Sequence, residues 1–165
     1  MRAKVRLFGH PVHQMLVVFP LGLLAGSMIT DMLAIALGST LTALMSYGLI
    51  AGGLIGAAIA IPFGIADYIA IPRHTRAKRI GMLHGGGNIL VSALFLLSWF
   101  LREPGLMPGS VALAFSFSAI AIALLTAWLG AEMVVRHAVG VDDDAGINAP
   151  PRRGVLLASG ARRRR

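Results

Sequence analysis

The chain contains no cysteine, and this absence excludes several kinds of chemistry. Disulfide bonds, thiolate metal sites, cysteine-ligated iron–sulfur clusters and cysteine nucleophiles all require a thiol. Charged residues are also scarce, at 13% of 165 residues, whereas a water-soluble domain has about a quarter. Because so little polar surface is available to cover the 56% of hydrophobic residues, the composition excludes an ordinary water-soluble domain.

Four apolar runs are long enough to cross the hydrocarbon core of a bilayer, which takes about 20 helical residues. They cover about residues 12–37, 44–69, 80–101 and 110–135, with short turns at 38–40, 72–78 and 102–109. The sequence therefore predicts an all-α polytopic membrane protein, a four-transmembrane-helix bundle over residues 1–141. Residues 142–165 are charged and contain proline and glycine, which predicts a disordered basic tail.

The distribution of basic residues predicts the orientation in the membrane. With four spans, both termini and the second turn lie on one side, and that side receives 14 of the 15 basic residues. Lys and Arg near span ends resist translocation, so both termini are expected in the cytoplasm (N-in/C-in). The first span is too long for a signal peptide and is expected to be retained. The basic residues counted are Arg2, Lys4, Arg6, Arg73, Arg76, Lys78, Arg79, Arg136, Arg152, Arg153 and Arg162 to Arg165.

A histidine followed by three glycines, His84 to Gly87, has the pattern of an esterase oxyanion hole. The chain has no Gly-x-Ser-x-Gly nucleophile elbow, however, and the glycines lie within the third span. They are better interpreted as small residues that let helices approach closely or leave room for a flat cofactor. Small residues also recur every fourth position of the second span, which predicts internal packing or a homo-oligomer: Gly48, Gly52, Gly56, Ala60 and Gly64.

Ligand-type side chains gather at the predicted cytoplasmic end of every span. His10 and His13 are three residues apart, so a helix start would place both on one face. His84 is followed one turn later by Asn88. The remaining members of this group are Asp67, Glu132 and His137.

These residues have two interpretations. Ionisable groups at this depth cost about 2.5–3.5 kcal/mol each, so they usually face inward and pair. In the first interpretation they satisfy one another: Asp67 pairs with a basic turn residue, Glu132 pairs with Arg136, and the histidines bond backbone carbonyls freed by prolines. In the second they bind a transition metal ion, or a haem b held by two histidines from different helices. We expect His10, His13, His84 and His137 as ligands, Asp67 and Glu132 as metal ligands or their supports, and Asn88 as a cofactor contact.

Three stretches, "GHPVHQMLVVFPLGLLAGSMITDMLA", "GIADYIAIPRHTRAKRIGMLHGGGNIL" and "WLGAEMVVRHAVGV", resemble in this order the predicted bacterial membrane proteins of domain of unknown function 2231. The resemblance covers about residues 8–141. It implies a four-span protein whose motif histidines correspond to His10, His13, His84 and His137. Asp67, Arg76 and Asn88 occupy similar positions. Fusion of some relatives to Rieske or c-type cytochrome modules implies, by association, an electron-transfer role.

Three functions follow from these features. The first is a membrane redox or metal protein with a partner protein that exchanges electrons with it. The second is a non-catalytic assembly or accessory protein that acts through helix packing. The third is transport, which would need a polar path from Asp31 through Asn88 to the histidines. The basic tail lacks aromatic residues for base stacking, so we expect lipid and not nucleic acid as its partner.

Overall fold

Four long helices form an antiparallel bundle in the computed structural model, which describes residues 1–149. The first span consists of α1 (Val12–Leu16) and α2 (Val18–Leu37), and the others are α3 (Thr40–Ala70), α4 (Arg76–Phe100) and α5 (Ser110–Val135). All four are long and apolar enough to cross a membrane, which confirms the predicted four-span helical fold. Residues 150–165, which contain most of the predicted basic tail, lie outside the described residues.

Short polar residues decide where two of the helices begin. The Ser39 hydroxyl accepts a hydrogen bond from the backbone N–H of Thr42, and α3 therefore begins at residue 40. The Thr75 hydroxyl accepts from the N–H of Lys78 in the same way, and α4 begins at residue 76. Both helices start four residues before the predicted apolar runs, because the capping residues lie outside those runs.

Two prolines have different effects on their helices. Pro20 has no N–H to donate to the carbonyl of Leu16, and the first span is interrupted close by, at Val17. Pro62 lies inside α3, which continues past it without interruption.

The bundle consists of two helical hairpins with one repeated pattern. Helix α2 packs most extensively on α3, and α4 packs most extensively on α5. In and just after the first span of each hairpin, matching positions are separated by 71 residues, as residue 13 is from residue 84. The matched pairs are His13 and His84, Leu24 and Phe95, Ser27 and Ser98, and Asp31 and Arg102. The two hairpins therefore repeat one pattern, an approximate two-fold relation in sequence between them.

The middle of the bundle is an apolar core. Its buried members are Leu24, Ile50, Val91, Phe95 and Ala119. Most other large apolar side chains point outward and are exposed, as a lipid-facing surface requires.

Both ends of the described chain meet at one end of the bundle, called here the terminal end. A small antiparallel hairpin pairs β1 (Arg6–Leu7) with β2 (His10–Pro11), and the amide of Gly140 donates to the carbonyl of Met1. The Arg6 guanidinium contacts Asp142 at 2.8 Å, and this hydrogen bond, together with the negative charge, raises the pKa of Arg6. The opposite end, with the turns at residues 38–39 and 101–109, is called the far end.

Candidate cofactor site

The first histidine of the site, His13, lies in α1 against the second half of α3. Its Nδ1 is 3.1 Å from the carbonyl oxygen of Ala60, one turn before Gly64. A Cβ atom at Gly64 would lie only 2.7 Å from Cε1 of the imidazole, so the ring edge rests on the glycine backbone. Glycine at residue 64 therefore makes room for the histidine.

The second histidine, His84, repeats this arrangement between α4 and α5. Its Nδ1 is 2.8 Å from the carbonyl oxygen of Thr126, again one turn before a glycine, Gly130. A Cβ atom at Gly130 would lie 2.9 Å from Cε1 of this ring. Each hairpin thus holds one histidine on its first helix against a carbonyl and a glycine of its second helix.

The hydrogen bonds of the two histidines determine which ring nitrogen carries the proton. A carbonyl oxygen only accepts, so Nδ1 carries the proton in both rings. In the neutral imidazole the lone pair is then on Nε2 of both His13 and His84. Both residues are half-buried, and each lies in the part of its span nearer the terminal end.

Asn88 and Thr126 hold His84 in position. The side-chain amide of Asn88 donates to the backbone carbonyl of His84 at 2.8 Å, and its nitrogen lies 3.4 Å from both ring nitrogens. The hydroxyl of Thr126 donates to Oδ1 of Asn88 at 3.2 Å. The predicted proximity of Asn88 to His84 is therefore present, as a link between α4 and α5.

The other two candidate histidines lie elsewhere. His10 is exposed in β2, and Pro11, with an extended backbone, forms the N-cap of α1. The prediction that His10 and His13 share a helical face is therefore wrong, because the residue before a proline is disfavoured in a helix. His137 follows the end of α5 and lines a separate cavity with Arg76, Arg79, Ile80 and Glu132.

The two carboxylates have partners of their own. Oδ1 of Asp67 accepts a hydrogen bond from the backbone N–H of Lys4 at 2.6 Å, so it anchors the N-terminal segment and not a basic side chain of the turn. Glu132 lies 3.7 Å from Nε of Arg136, as the pairing interpretation predicts. Within residues 1–149, no three His, Asp or Glu residues come together as a metal-binding group.

A buried ion pair near the far end was not predicted. The guanidinium of Arg102 binds the carboxylate of Asp31 through two hydrogen bonds of 2.6 and 2.8 Å, and the two side chains are 3% and 1% exposed. Hydroxyl oxygens accept the remaining guanidinium donors: those of Ser46, Ser98 and Ser116. The equal spacing of Asp31 from His13 and of Arg102 from His84 was the signal in the sequence that could have revealed this pair.

The glycine stripe of α3 serves mainly internal packing. A Cβ atom at Gly52 would lie 3.4 Å from Leu23, and one at Gly56 would lie 3.1 Å from Pro20. Only at Gly48, among the three glycines predicted to form an oligomer contact, would a Cβ meet no atom of the described chain within 4 Å. The surface available for a homo-oligomer along this stripe is therefore much smaller than the sequence predicted.

The polar path required for transport is interrupted. The buried side chains of Leu24, Val91 and Phe95 lie between the histidine layer and the Asp31–Arg102 pair. The apolar core therefore separates two polar layers: the histidines toward the terminal end and the Asp31–Arg102 pair toward the far end.

The sequence matches a family described as "Predicted membrane protein (DUF2231)" over residues 9–143. The chain belongs to this family. No curated protein and no solved structure matches it. Of the predicted site residues, His13, His84 and Asn88 belong to the two histidine–carbonyl arrangements, whereas His10 and His137 lie apart from them.

Proposed function

We propose that this DUF2231 protein is a membrane electron-transfer protein that holds one haem b through Nε2 of His13 and Nε2 of His84. The observation that carries the proposal is the repeated arrangement of the two imidazoles, each with Nδ1 bonded to a backbone carbonyl of the facing helix. A histidine that ligates a metal commonly donates its other ring N–H to a carbonyl or carboxylate. This bond fixes the tautomer and directs the lone pair of Nε2 away from the carbonyl.

The number of ligands favours haem over a free metal ion. Structural and catalytic metal ions generally need three or four protein ligands. His13 and His84 provide two, and the described residues contain no group of three or more His, Asp and Glu side chains suited to a metal ion. A haem supplies four nitrogen ligands itself and needs only axial ligands from the protein, which two histidines on different helices can provide.

Small residues give a flat group room beside the histidines. Gly85 follows His84 directly, and a Cβ atom there would meet no atom within 4 Å. Gly87 is instead required for packing, because a Cβ there would collide with Thr126. The triple glycine thus combines a helix contact with open space next to a candidate ligand.

A bound haem would supply reversible one-electron transfer between ferric and ferrous iron. The protein residues would set its environment: Asn88 lies within 3.4 Å of the His84 ring, and the terminal segments cover this end of the bundle. The proposal includes a partner protein that donates the electron to the haem or accepts it.

The orientation that we propose places the terminal end in the cytoplasm and the protein in the inner membrane. Eight of the nine basic residues within 1–149 lie at that end. The ninth, Arg102, is paired with Asp31 inside the bundle. The difference in unpaired positive charge between the two ends is therefore larger than the count of basic residues alone suggests.

The test is a panel of single histidine variants purified in mild detergent from cells supplied with a haem precursor. We expect His13→Ala and His84→Ala each to lose the six-coordinate haem spectrum. The control variants His10→Ala and His74→Ala should keep wild-type haem content, because both side chains are exposed. Haem binding that survives in both His13→Ala and His84→Ala, or that is lost only in His10→Ala, would overturn this assignment.

A further inference from the structure

An open cavity of about 260 Å³ lies at the terminal end, where α5 finishes and α4 begins. Its lining consists of Arg76, Arg79, Ile80, Glu132 and His137. It is separate from the His13 and His84 contacts, since neither residue lines it.

The cavity offers two guanidinium groups that have no acidic partner within residues 1–149. Two other basic side chains at this end are engaged: Lys78 donates to the carbonyl of Tyr68 at 2.6 Å, and Arg6 pairs with Asp142. Arg76 and Arg79 are exposed, and neither forms an ion pair with a described residue. Paired guanidinium groups match the oxygen atoms of a phosphate well.

An apolar surface continues from the cavity toward the middle of the bundle. On α4, residues at helical spacing from Arg79 include Leu83, Gly86 and Leu90, and both leucines are exposed. On α5, Trp128 lies one turn before Glu132 and is 64% exposed. A Cβ atom at Gly86 would meet nothing within 4 Å, so no other part of residues 1–149 covers this position.

We infer that this cavity binds the headgroup phosphate of an anionic phospholipid, with an acyl chain lying against the surface of Leu83, Gly86 and Trp128. The positive groups lie at the end of a membrane-spanning helix, which is the depth of lipid headgroups. Basic pockets between helix ends bind anionic headgroups in this way. A phospholipid satisfies both the charge of the cavity and the apolar surface beside it, whereas free phosphate satisfies only the charge.

Native mass spectrometry of the full chain can test this inference. Protein in neutral detergent is mixed with equal amounts of phosphatidylglycerol and phosphatidylcholine, and the bound lipid is counted. We expect one phosphatidylglycerol to be retained in preference to phosphatidylcholine. The double variant Arg76→Gln/Arg79→Gln should reduce this occupancy at least fivefold, while Arg76→Lys/Arg79→Lys should keep most of it.

The matched control removes two positive charges from the same end but outside the cavity. Lys4→Gln/Arg73→Gln alters two exposed side chains that line no part of it and should keep wild-type occupancy. Equal loss in both double variants would mean that only the total charge matters, and would overturn the inference. Wild-type protein that shows no preference for phosphatidylglycerol, or whose phosphatidylglycerol is displaced by millimolar inorganic phosphate, would also overturn it.

Discussion

At the scale of single residues, the Asp31–Arg102 pair is the most buried ion pair within residues 1–149. Removing one partner leaves an uncompensated charge inside the bundle, which costs about 3–5 kcal/mol. We therefore expect Arg102→Met to lower the free energy of unfolding by about this amount, measured by titrating the protein from mild detergent into SDS.

The double variant Asp31→Leu/Arg102→Met should recover most of that loss, because no unpaired charge remains. The hydroxyls of Ser98 and Ser116 would still donate to the carbonyl of Ala112. A double variant as unstable as Arg102→Met would contradict this account of the pair.

Gly64 tests whether the position of His13 matters for the proposed site. A Cβ at residue 64 would lie 2.7 Å from the imidazole, so Gly64→Ala should displace the ring and break its bond to Ala60. We expect lower haem content, measured per mole of protein, and an overpacking cost of about 1–3 kcal/mol. Gly48→Ala changes the same helix where nothing lies within 4 Å and should leave both quantities unchanged. Normal haem content in Gly64→Ala would remove His13 from the site.

The sequence identified several residues of the candidate site, but it did not identify their hydrogen-bond partners. The sequence identified Asp67 and Glu132 as carboxylates at the predicted cytoplasmic end of their spans. The hydrogen-bond partner of Asp67 is Lys4, 63 positions away, and this contact depends on the folded terminal segment. His13 and His84 were identified as candidate ligands. Their carbonyl contacts could not be derived, because they depend on the rotation of neighbouring helices about their axes.

At the scale of helices, Gly87 and Thr126 determine how closely α4 approaches α5. The methyl group of Thr126 occupies the space of a Cβ at residue 87. We expect Gly87→Ala to reduce stability by about 1–3 kcal/mol through overpacking, measured by the same SDS titration.

Adding Thr126→Ser to Gly87→Ala removes the colliding methyl group and keeps the hydroxyl bond to Asn88, so stability should return. Gly86→Ala is the matched control, since the position next to Gly87 is open. If Gly86→Ala and Gly87→Ala were equally destabilising, the cause would be helix backbone effects and not the contact with Thr126.

The four spans were well predicted, because an apolar run of about 20 residues forms few structures other than a membrane-spanning helix. The starts of α3 and α4 were less well predicted, although Ser39 and Thr75 are recognisable capping residues. The hairpin of β1 and β2 was missed, since its turn places Phe8 at a φ of 47°, a conformation that disfavours bulky side chains. In the structure, the Arg6 guanidinium donates to the carbonyl of Gly9 across this turn, and the contacts of the terminal end surround the hairpin.

At the scale of the whole molecule, the repeat of 71 residues that relates the hairpins matches position 31 with position 102. A charge exchange should therefore be tolerated: Asp31→Arg/Arg102→Asp can form the same ion pair with the partners reversed. Ser27, the counterpart of Ser98, would then lie near the new guanidinium.

We expect Asp31→Arg alone to place two cations together and prevent assembly of a folded monomer, measured by size-exclusion chromatography and thermal unfolding. The exchanged double variant should be markedly more stable than this single variant. If both were equally unfolded, the approximate two-fold relation would not extend to the interactions of this pair.

The overall arrangement could be predicted from span number and charge, but the separation of the polar groups into two layers could not. Periodicity places Asp31 on the face of His13, which suggested a continuous polar path. The buried Leu24 and Phe95 interrupt that path, and their role becomes visible only when the hairpins are matched.

The most direct test of the central claim is a dithionite-reduced minus oxidised absorption spectrum of the wild-type protein, purified in mild detergent after expression with a haem precursor. The account predicts a Soret band and sharp α and β bands of a six-coordinate b-type haem, at one haem per chain. A colourless protein that also fails to take up added haem would contradict it.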